Sequence, residues 1–306
     1  MWARDPAVVE SINETHRNPN YQSDLELSSN IRAFTSFERC LRDAELVCLV
    51  VPSHAMRTIA GQLEPFLPKN APIVSASKGI ENDTLQTMHG VLCDTLPARF
   101  HPLLGFLSGP SFARETIMKM ATAVTVASTS METAERIQSR FSTAYFRVYT
   151  TDDVMGVELG GATKNVIAIA SGVVDGLNLG HNTRAALMTR GLAEVTRLAV
   201  ELGGNPMTLA GLSGMGDLVL TCSGDLSRNR RVGLELAKGR TLDEIVASMQ
   251  QVAEGVRTTK SVFNLGIKHG VELPIASEVY RILYEQKPPN VALRDLMLRN
   301  LRHERG

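Results

Sequence analysis

Leu46-Val47-Cys48-Leu49-Val50-Val51-Pro52-Ser53, followed by Pro72-Ile73-Val74-Ser75-Ala76-Ser77-Lys78-Gly79, decides how this chain folds. Each segment is a short apolar run rich in β-branched residues that stops at small polar residues. Uninterrupted apolar runs of this length are strands buried on both faces. Between them, residues 54–67 carry helical periodicity. A third run, Leu103 to Leu107, ends in Ser108-Gly109-Pro110-Ser111 after a helix over about 85–96. Further strands are expected at 123–127 and 146–149, with a helix over 131–142 between them. Strands alternating with helices predict a largely parallel, doubly wound sheet.

In such sheets ligands sit beyond the carboxyl ends of the strands. Three of those ends here carry Pro52-Ser53, Ser77-Lys78-Gly79 and Ser108-Gly109-Pro110-Ser111. Small residues there leave room for backbone N–H groups and hydroxyls to meet a ligand. Turn chemistry alone also favours Gly, Pro and Ser, but Lys78 adds a charge that a turn does not need.

Upstream, Asp5-Pro6 reads as a helix start, with Asp as N-cap and Pro in the first turn, and residues 36–44 as a short helix. Downstream of Tyr149 no strand is expected. Helical stretches cover about 153–176, 182–202, 227–238, 241–250, 255–269, 274–286 and 290–300, with Gly or Pro near the breaks. The fold expected is thus α/β: a sheet domain over 1–150 followed by an all-α domain over 151–306.

The first helix of that second half reads Val154-Met155-Gly156-Val157-Glu158-Leu159-Gly160-Gly161-Ala162-Thr163-Lys164-Asn165. Lys164 shares its face with Val157, Gly160, Gly161 and Ala168, so nothing bulky stands beside its ammonium. It is either a packed lysine with a snorkelling head or a catalytic lysine. Two loops stand out further on. Gly211-Leu212-Ser213-Gly214-Met215-Gly216-Asp217 sets a carboxylate against the apolar run Leu218 to Cys222, where it needs a partner. Ser227-Arg228-Asn229-Arg230-Arg231 places guanidiniums at a helix N-terminus, suited either to a phosphate monoester or to plain solvation.

Composition bounds the rest. The 306 residues are enough for two domains with cores, and 43% hydrophobic and 21% charged content is ordinary for a globular protein. Lys plus Arg and Asp plus Glu both total 32, which argues against a nucleic-acid or polyanion binder. No apolar run is long enough to insert in a membrane, and the start lacks signal-peptide character. Four scattered cysteines without CxxC spacing read as reduced thiols of a cytoplasmic protein. The histidines form no HxxxH or HExxH pair, so no metal site is expected.

The ordered set Val51-Pro52-Ser53-His54, Ser77-Lys78-Gly79, Ser108 to Ala113, Gly156 to Asn165, Gly216 to Cys222, Ser227 to Arg231 and Glu254-Gly255 resembles the bacterial NAD(P)-dependent sn-glycerol-3-phosphate dehydrogenases. The resemblance runs from Trp2 to about Arg302. It implies a Rossmann domain followed by a helical domain, and interconversion of dihydroxyacetone phosphate and sn-glycerol-3-phosphate for phospholipid synthesis. By the same resemblance Lys164 is the proton acceptor or donor, with Lys78 beside it near the nicotinamide. Lys78, Gly109, Ser111, Lys164, Asp217, Ser227, Arg228 and Asn229 contact substrate, the last two at its phosphate. Arg4, Lys78, Ala113, Arg228, Val252 and Glu254 touch the cofactor, NAD or NADP. Arg4, after a strand, suits a 2′-phosphate and leans the choice toward NADP. A homodimer through helical faces is compatible with the pattern, though no motif commits to it.

One element departs from the family. Its members begin with a strand, a GxGxxG-type turn and a helix, about 30 residues that precede a Trp-x-Arg-like element. This chain opens at that element, Trp2-Ala3-Arg4, and no glycine cluster within 1–150 replaces the turn. The expectations are a natural start upstream of Met1, a short form with little NAD(P) affinity, or a strand supplied by another chain. A sheet without that central strand should expose edges and fold poorly. The alternative function is an inactive phosphate-binding or dimerising form of the family.

Overall fold

A computed structural model of the chain describes residues 1–249, 253–301, 303 and 304. Its first half runs α1 (Pro6–Thr15), α2 (Phe37–Leu41), β1 (Val47–Leu49), α3 (Met56–Leu63), β2 (Ile73–Ser75), α4 (Met88–Thr95), β3 (Leu104–Ser108), α5 (Ala113–Ile117), β4 (Thr122–Ala127), α6 (Met131–Phe141) and β5 (Phe146–Thr151). Beyond β5 the described residues form helices: α7 (Val154–Gly176), α8 (Gly180–Glu201), α9 (Pro206–Leu209), α10 (Asp217–Ser223), α11 (Arg228–Ala237), α12 (Leu242–Ser248), α13 (Glu254–His269), α14 (Pro274–Tyr284) and α15 (Pro289–Met297).

The five strands lie in chain order, β1-β2-β3-β4-β5. β1, β2 and β3 are mutually parallel, and β4 runs antiparallel to β3. The reversal follows from the connection after β3, whose five-residue α5 is too short to cover the sheet in a parallel crossover. β2 and β3 are buried along their whole length, as their unbroken apolar sequences require. Ile73, Leu104 and Phe106 pack with α3 and α4 on one face, and Val74, Leu107 and Val126 pack with α6 on the other. The sheet is therefore wound on both sides, and the fold is a Rossmann-type α/β domain followed by a helical one.

β1 is shorter than its sequence suggests and alternates buried, exposed, buried. Among the described residues no strand pairs with its outer edge, and Val50 is 70% exposed. Trp2 makes one parallel bridge to Phe34 apart from the main sheet, stacks on Phe37 at 4.5 Å and donates its indole N–H to Thr35 O. Asp5 caps α1 as expected, accepting from Ala7 N at 2.9 Å with Pro6 at the first helical position. The helix expected over 54–67 is divided into α3 and flanking 3₁₀ turns; the downstream break falls at Pro65, which has no N–H to continue the helix.

In the helical half α7 is the axle. Asp153 caps it through Gly156 N at 2.9 Å, and α8, α10, α11 and α13 pack around it. α11 comes unusually close, since a Cβ on Gly172 would lie 1.9 Å from Arg230 O and one on Gly233 would lie 2.0 Å from Ile169 O. Glycine at both positions lets the two backbones touch. The stretch read as a loop over 211–217 is instead a π-helical turn, Leu212–Gly216, running directly into α10. The apolar run after Asp217, to which the sequence reading assigned no element, is helical, with Leu218 and Cys222 facing the α7 core four apart.

Candidate active site

β2 ends at Ser75, and the chain turns over the crest of the sheet through Ser77, whose hydroxyl donates to Val51 O. The turn delivers Lys78 to α7 beside Gly161, within the helix's first three turns. From β3 the Ser108-Gly109 turn arrives alongside, with Gly109 at φ +140° and only 2.9 Å available between its Cβ position and Val124 Cα. From the helical half come Lys164, on the third turn of α7, and Asp217, the first residue of α10.

These groups meet. Lys164 Nζ donates to Asp217 Oδ1, and Lys78 Nζ donates to Asp217 Oδ2 at 2.6 Å and to Gly109 O at 3.3 Å. Lys164 and Asp217 are 8% and 1% exposed. One carboxylate thus holds two ammoniums in a nearly dry site. Burial and the neighbouring Lys78 charge bring the Lys164 ammonium down to about 7, opposed by Asp217. Burial alone would raise the Asp217 carboxyl, but Lys78 and Lys164 outweigh it and hold it below its ordinary value. Glu254, at the head of α13, is raised by burial against the pull of Arg228, Lys78 and Lys164.

The remaining expected site residues fall into three groups. Ser111 lies at the rim and donates its hydroxyl to Gly109 O at 3.2 Å. At the head of α11, Ser227 is committed as N-cap to Arg230 N, while Arg228 is exposed and within electrostatic reach of Glu254. Asn229 is buried and pinned: its Nδ2 donates to Asn165 Oδ1 at 2.9 Å and its Oδ1 accepts from Gly255 N at 2.9 Å. Arg230 turns away to Asp175 and Asp225, so the basic cluster is split. Arg4 is exposed beside Trp2 and Ala113 is exposed at the start of α5, and neither shares in the lysine–aspartate hydrogen bonds. Val252 lies outside the described residues.

The glycines beside Lys164 do not serve as clearance for a ligand. A Cβ on Gly160 would stand 2.6 Å from Ser213 O, and one on Gly161 would stand 2.6 Å from Ser108 Oγ. The π-helical turn and the end of β3 occupy that space. Helix packing explains the glycines. Asn165 was quoted in the motif without a role, and its structural part depends on a residue far along the chain. Among the described residues no group of three or more metal-binding side chains occurs, and no helix is long and apolar enough to cross a membrane.

The architecture and the sequence have known counterparts. The family described as NAD-dependent glycerol-3-phosphate dehydrogenase matches in both parts, its N-terminus over residues 1–134 and its C-terminus over 153–294. The glycerol-3-phosphate dehydrogenase [NAD(P)+] of Myxococcus xanthus is 54% identical over 304 residues, covering 99% of this chain and 91% of its own. That of Syntrophobacter fumaroxidans is 50% identical over 304 residues, covering 99% and 89%. The crystal structure of glycerol-3-phosphate dehydrogenase from Coxiella burnetii superposes with a TM-score of 0.91 at 35% identity, covering 97% of this chain and 90% of that one. With two matching family halves and relatives of this identity along nearly its whole length, the chain belongs to the NAD-dependent glycerol-3-phosphate dehydrogenase family.

Proposed function

We propose that this chain interconverts dihydroxyacetone phosphate and sn-glycerol-3-phosphate with NAD or NADP, supplying glycerol-3-phosphate for phospholipid synthesis in the cytoplasm. The observation that carries the reading is the Lys164–Asp217–Lys78 cluster at the carboxyl ends of parallel strands. The four free cysteines agree with a reducing compartment.

Lys164 is the acid–base group. With its ammonium brought down to about 7, both forms of Lys164 are populated near neutral pH: the ammonium gives a proton to the ketone's carbonyl oxygen, and the free amine takes it back from the alcohol. Its positive form also stabilises alkoxide charge as it develops. Asp217 keeps both lysine heads in place, and Lys78 sets a second cation beside the reacting oxygen. Arg228 and the first turn of α11 lie where backbone N–H groups and a guanidinium hold an anionic phosphate. Asn229 supports that turn from beneath through Asn165 and Gly255 N.

The described residues fit the nicotinamide end of a dinucleotide. Lys78 and the small residues after β1, β2 and β3 line the crest, with Glu254 and Arg228 facing it from the helical half. They do not include a glycine-rich pyrophosphate turn after a strand. When bound, the dinucleotide supplies or accepts the hydride at substrate C2.

The test is dihydroxyacetone-phosphate-dependent oxidation of NADPH and NADH, in the parent and in Lys164→Ala. The expected result is turnover with the parent and its loss in the variant, with cofactor affinity nearly unchanged. A variant keeping more than a small fraction of the parent rate removes Lys164 from the mechanism, and no oxidation of either cofactor by the parent overturns the activity.

A further inference from the structure

Glu158 sits on α7 not quite two turns before Lys164 and points toward the sheet domain. Its carboxylate accepts from His89 N through both oxygens, at 3.0 and 3.3 Å, with the Thr87 hydroxyl and Met88 N beside it. Those three donors form the N-terminus of α4, where Thr87, the N-cap residue, provides no side-chain cap of its own. A carboxylate from another helix therefore closes α4, a favourable place for negative charge.

The segment closed this way is the one that carries Lys78. It leaves β2, passes Lys78, and returns to α4 through an antiparallel bridge between Ile80 and Thr87. Ser261 of α13 donates to Ile80 O at 3.1 Å and holds the middle of the segment. Glu158 holds its far end. A second observation joins the same residues: Lys78, Ser108, Glu158 and Gly161 line one cavity of about 10 Å³, the size of a single water. The Ser108 hydroxyl, 3% exposed and without a partner, is buried there, and the Lys78 stem passes 3.6 Å from the Cβ position of Gly161.

We propose that Glu158 is a positioning residue: by capping α4 from α7 it registers the Lys78 segment against the helix that bears Lys164, so that both lysines reach one Asp217 carboxylate. The inference rests on the acid–base role given to Lys164 above.

Its consequence is electrostatic. Lys164 faces Lys78 from the β2 turn, Asp217 and Cys222 from α10, and Glu254 from α13 with Arg228 behind it. Of these, Lys78 pushes the Lys164 ammonium down and Asp217 pulls it up. Glu158 itself faces Thr87, His89 and Cys93 on and beside α4, with His101 behind His89. If the Lys78 segment loosens, the Lys164 ammonium loses its repulsive neighbour and holds its proton to higher pH.

The molecule contains its own control. Glu194 on α8 is a second carboxylate, itself buried, that caps another helix, α14, through Ile275 N at 2.7 Å and Ala276 N at 3.2 Å. It has the same chemistry and no connection to Lys78.

The experiment is competitive labelling of the full chain with acetic anhydride across pH, read by mass spectrometry on the Lys164 peptide. It needs no turnover. The expected result is a midpoint near 7 in the parent, raised by about one pH unit in Glu158→Gln and unchanged in Glu194→Gln. Thr87→Val, which removes one of the three donors, gives a smaller rise in the same direction and serves if Glu158→Gln does not fold. An unmoved midpoint in the folded variants, or an equal rise in Glu194→Gln, overturns the proposal. Failure of the parent to oxidise NAD(P)H would instead sink the activity and leave this measurement standing.

Discussion

At the residue scale the proposed acid–base role rests on one lysine, Lys164, whose proton is loosely held. With the Lys164 ammonium brought to about 7, the rate of ketone reduction, which needs the charged form, falls as pH rises through that value. Alcohol oxidation needs the free amine and rises through the same midpoint. Measured kcat/KM profiles in the two directions should therefore cross near 7, and parallel profiles would contradict the assignment. Asp217→Asn removes the group that favours the ammonium, so the Lys164 midpoint should move below 7, opposite in sign to the effect of Glu158→Gln. Lys164, Lys78 and Asp217 were each legible as unusual residues: a lysine among glycines, a lysine on a strand crest, a carboxylate against an apolar run. That Asp217 bridges the other two was not, because the three lie on segments linked by no local pattern.

At the scale of elements, α7 and α11 show how backbone contact shapes the site. Gly172 and Gly233 allow carbonyls of the facing helix within contact of where a side chain would begin. Gly172→Ala should push α11 outward, costing about 3 kcal/mol. A drop in melting temperature of roughly 6–12 °C is the expected reading. Because α11 carries Arg228 and Asn229, the same variant should weaken phosphate-substrate binding more than it slows turnover; KM and kcat measured separately would show it. Element existence followed the sequence closely in both halves, since periodicity and caps are local. The departures came where tertiary contact overrode the local reading. Asp217 and its apolar run became a helix against α7, and the glycines around Lys164 became contact points for Ser213 and Ser108.

At the scale of the whole molecule, two carboxylates cap helices across the fold: Glu194, which is buried, and Glu158, which is partly buried. Burial raises Glu158 and Glu194 to about 7 against the hydrogen bonds that favour their charged forms. A carboxyl raised in the folded state binds more protons folded than unfolded between its ordinary value near 4.5 and 7. Stability from these groups is thus full below 4.5 and declines as pH rises to 7. Lys164 works the other way between about 7 and 10.5, where the unfolded chain binds the extra proton and stability climbs with pH. Thermal melts should show Glu194→Gln losing part of the parent's decline between pH 5 and 7. An identical slope would mean that Glu194 titrates normally.

The sequence alone determined the alternation of apolar strands and helices, the helical second half, the family, and the residue types suited to acid–base work on a phosphorylated substrate. Those depend on the period and chemistry of neighbouring residues, which the chain carries locally. Only the tertiary structure decided that β4 reverses, that the basic cluster divides between Arg228 and the Asp175-bound Arg230, and that one carboxylate gathers both lysines. Such outcomes depend on which distant surfaces meet, and burial strengthens each charge–charge contact only after they have met.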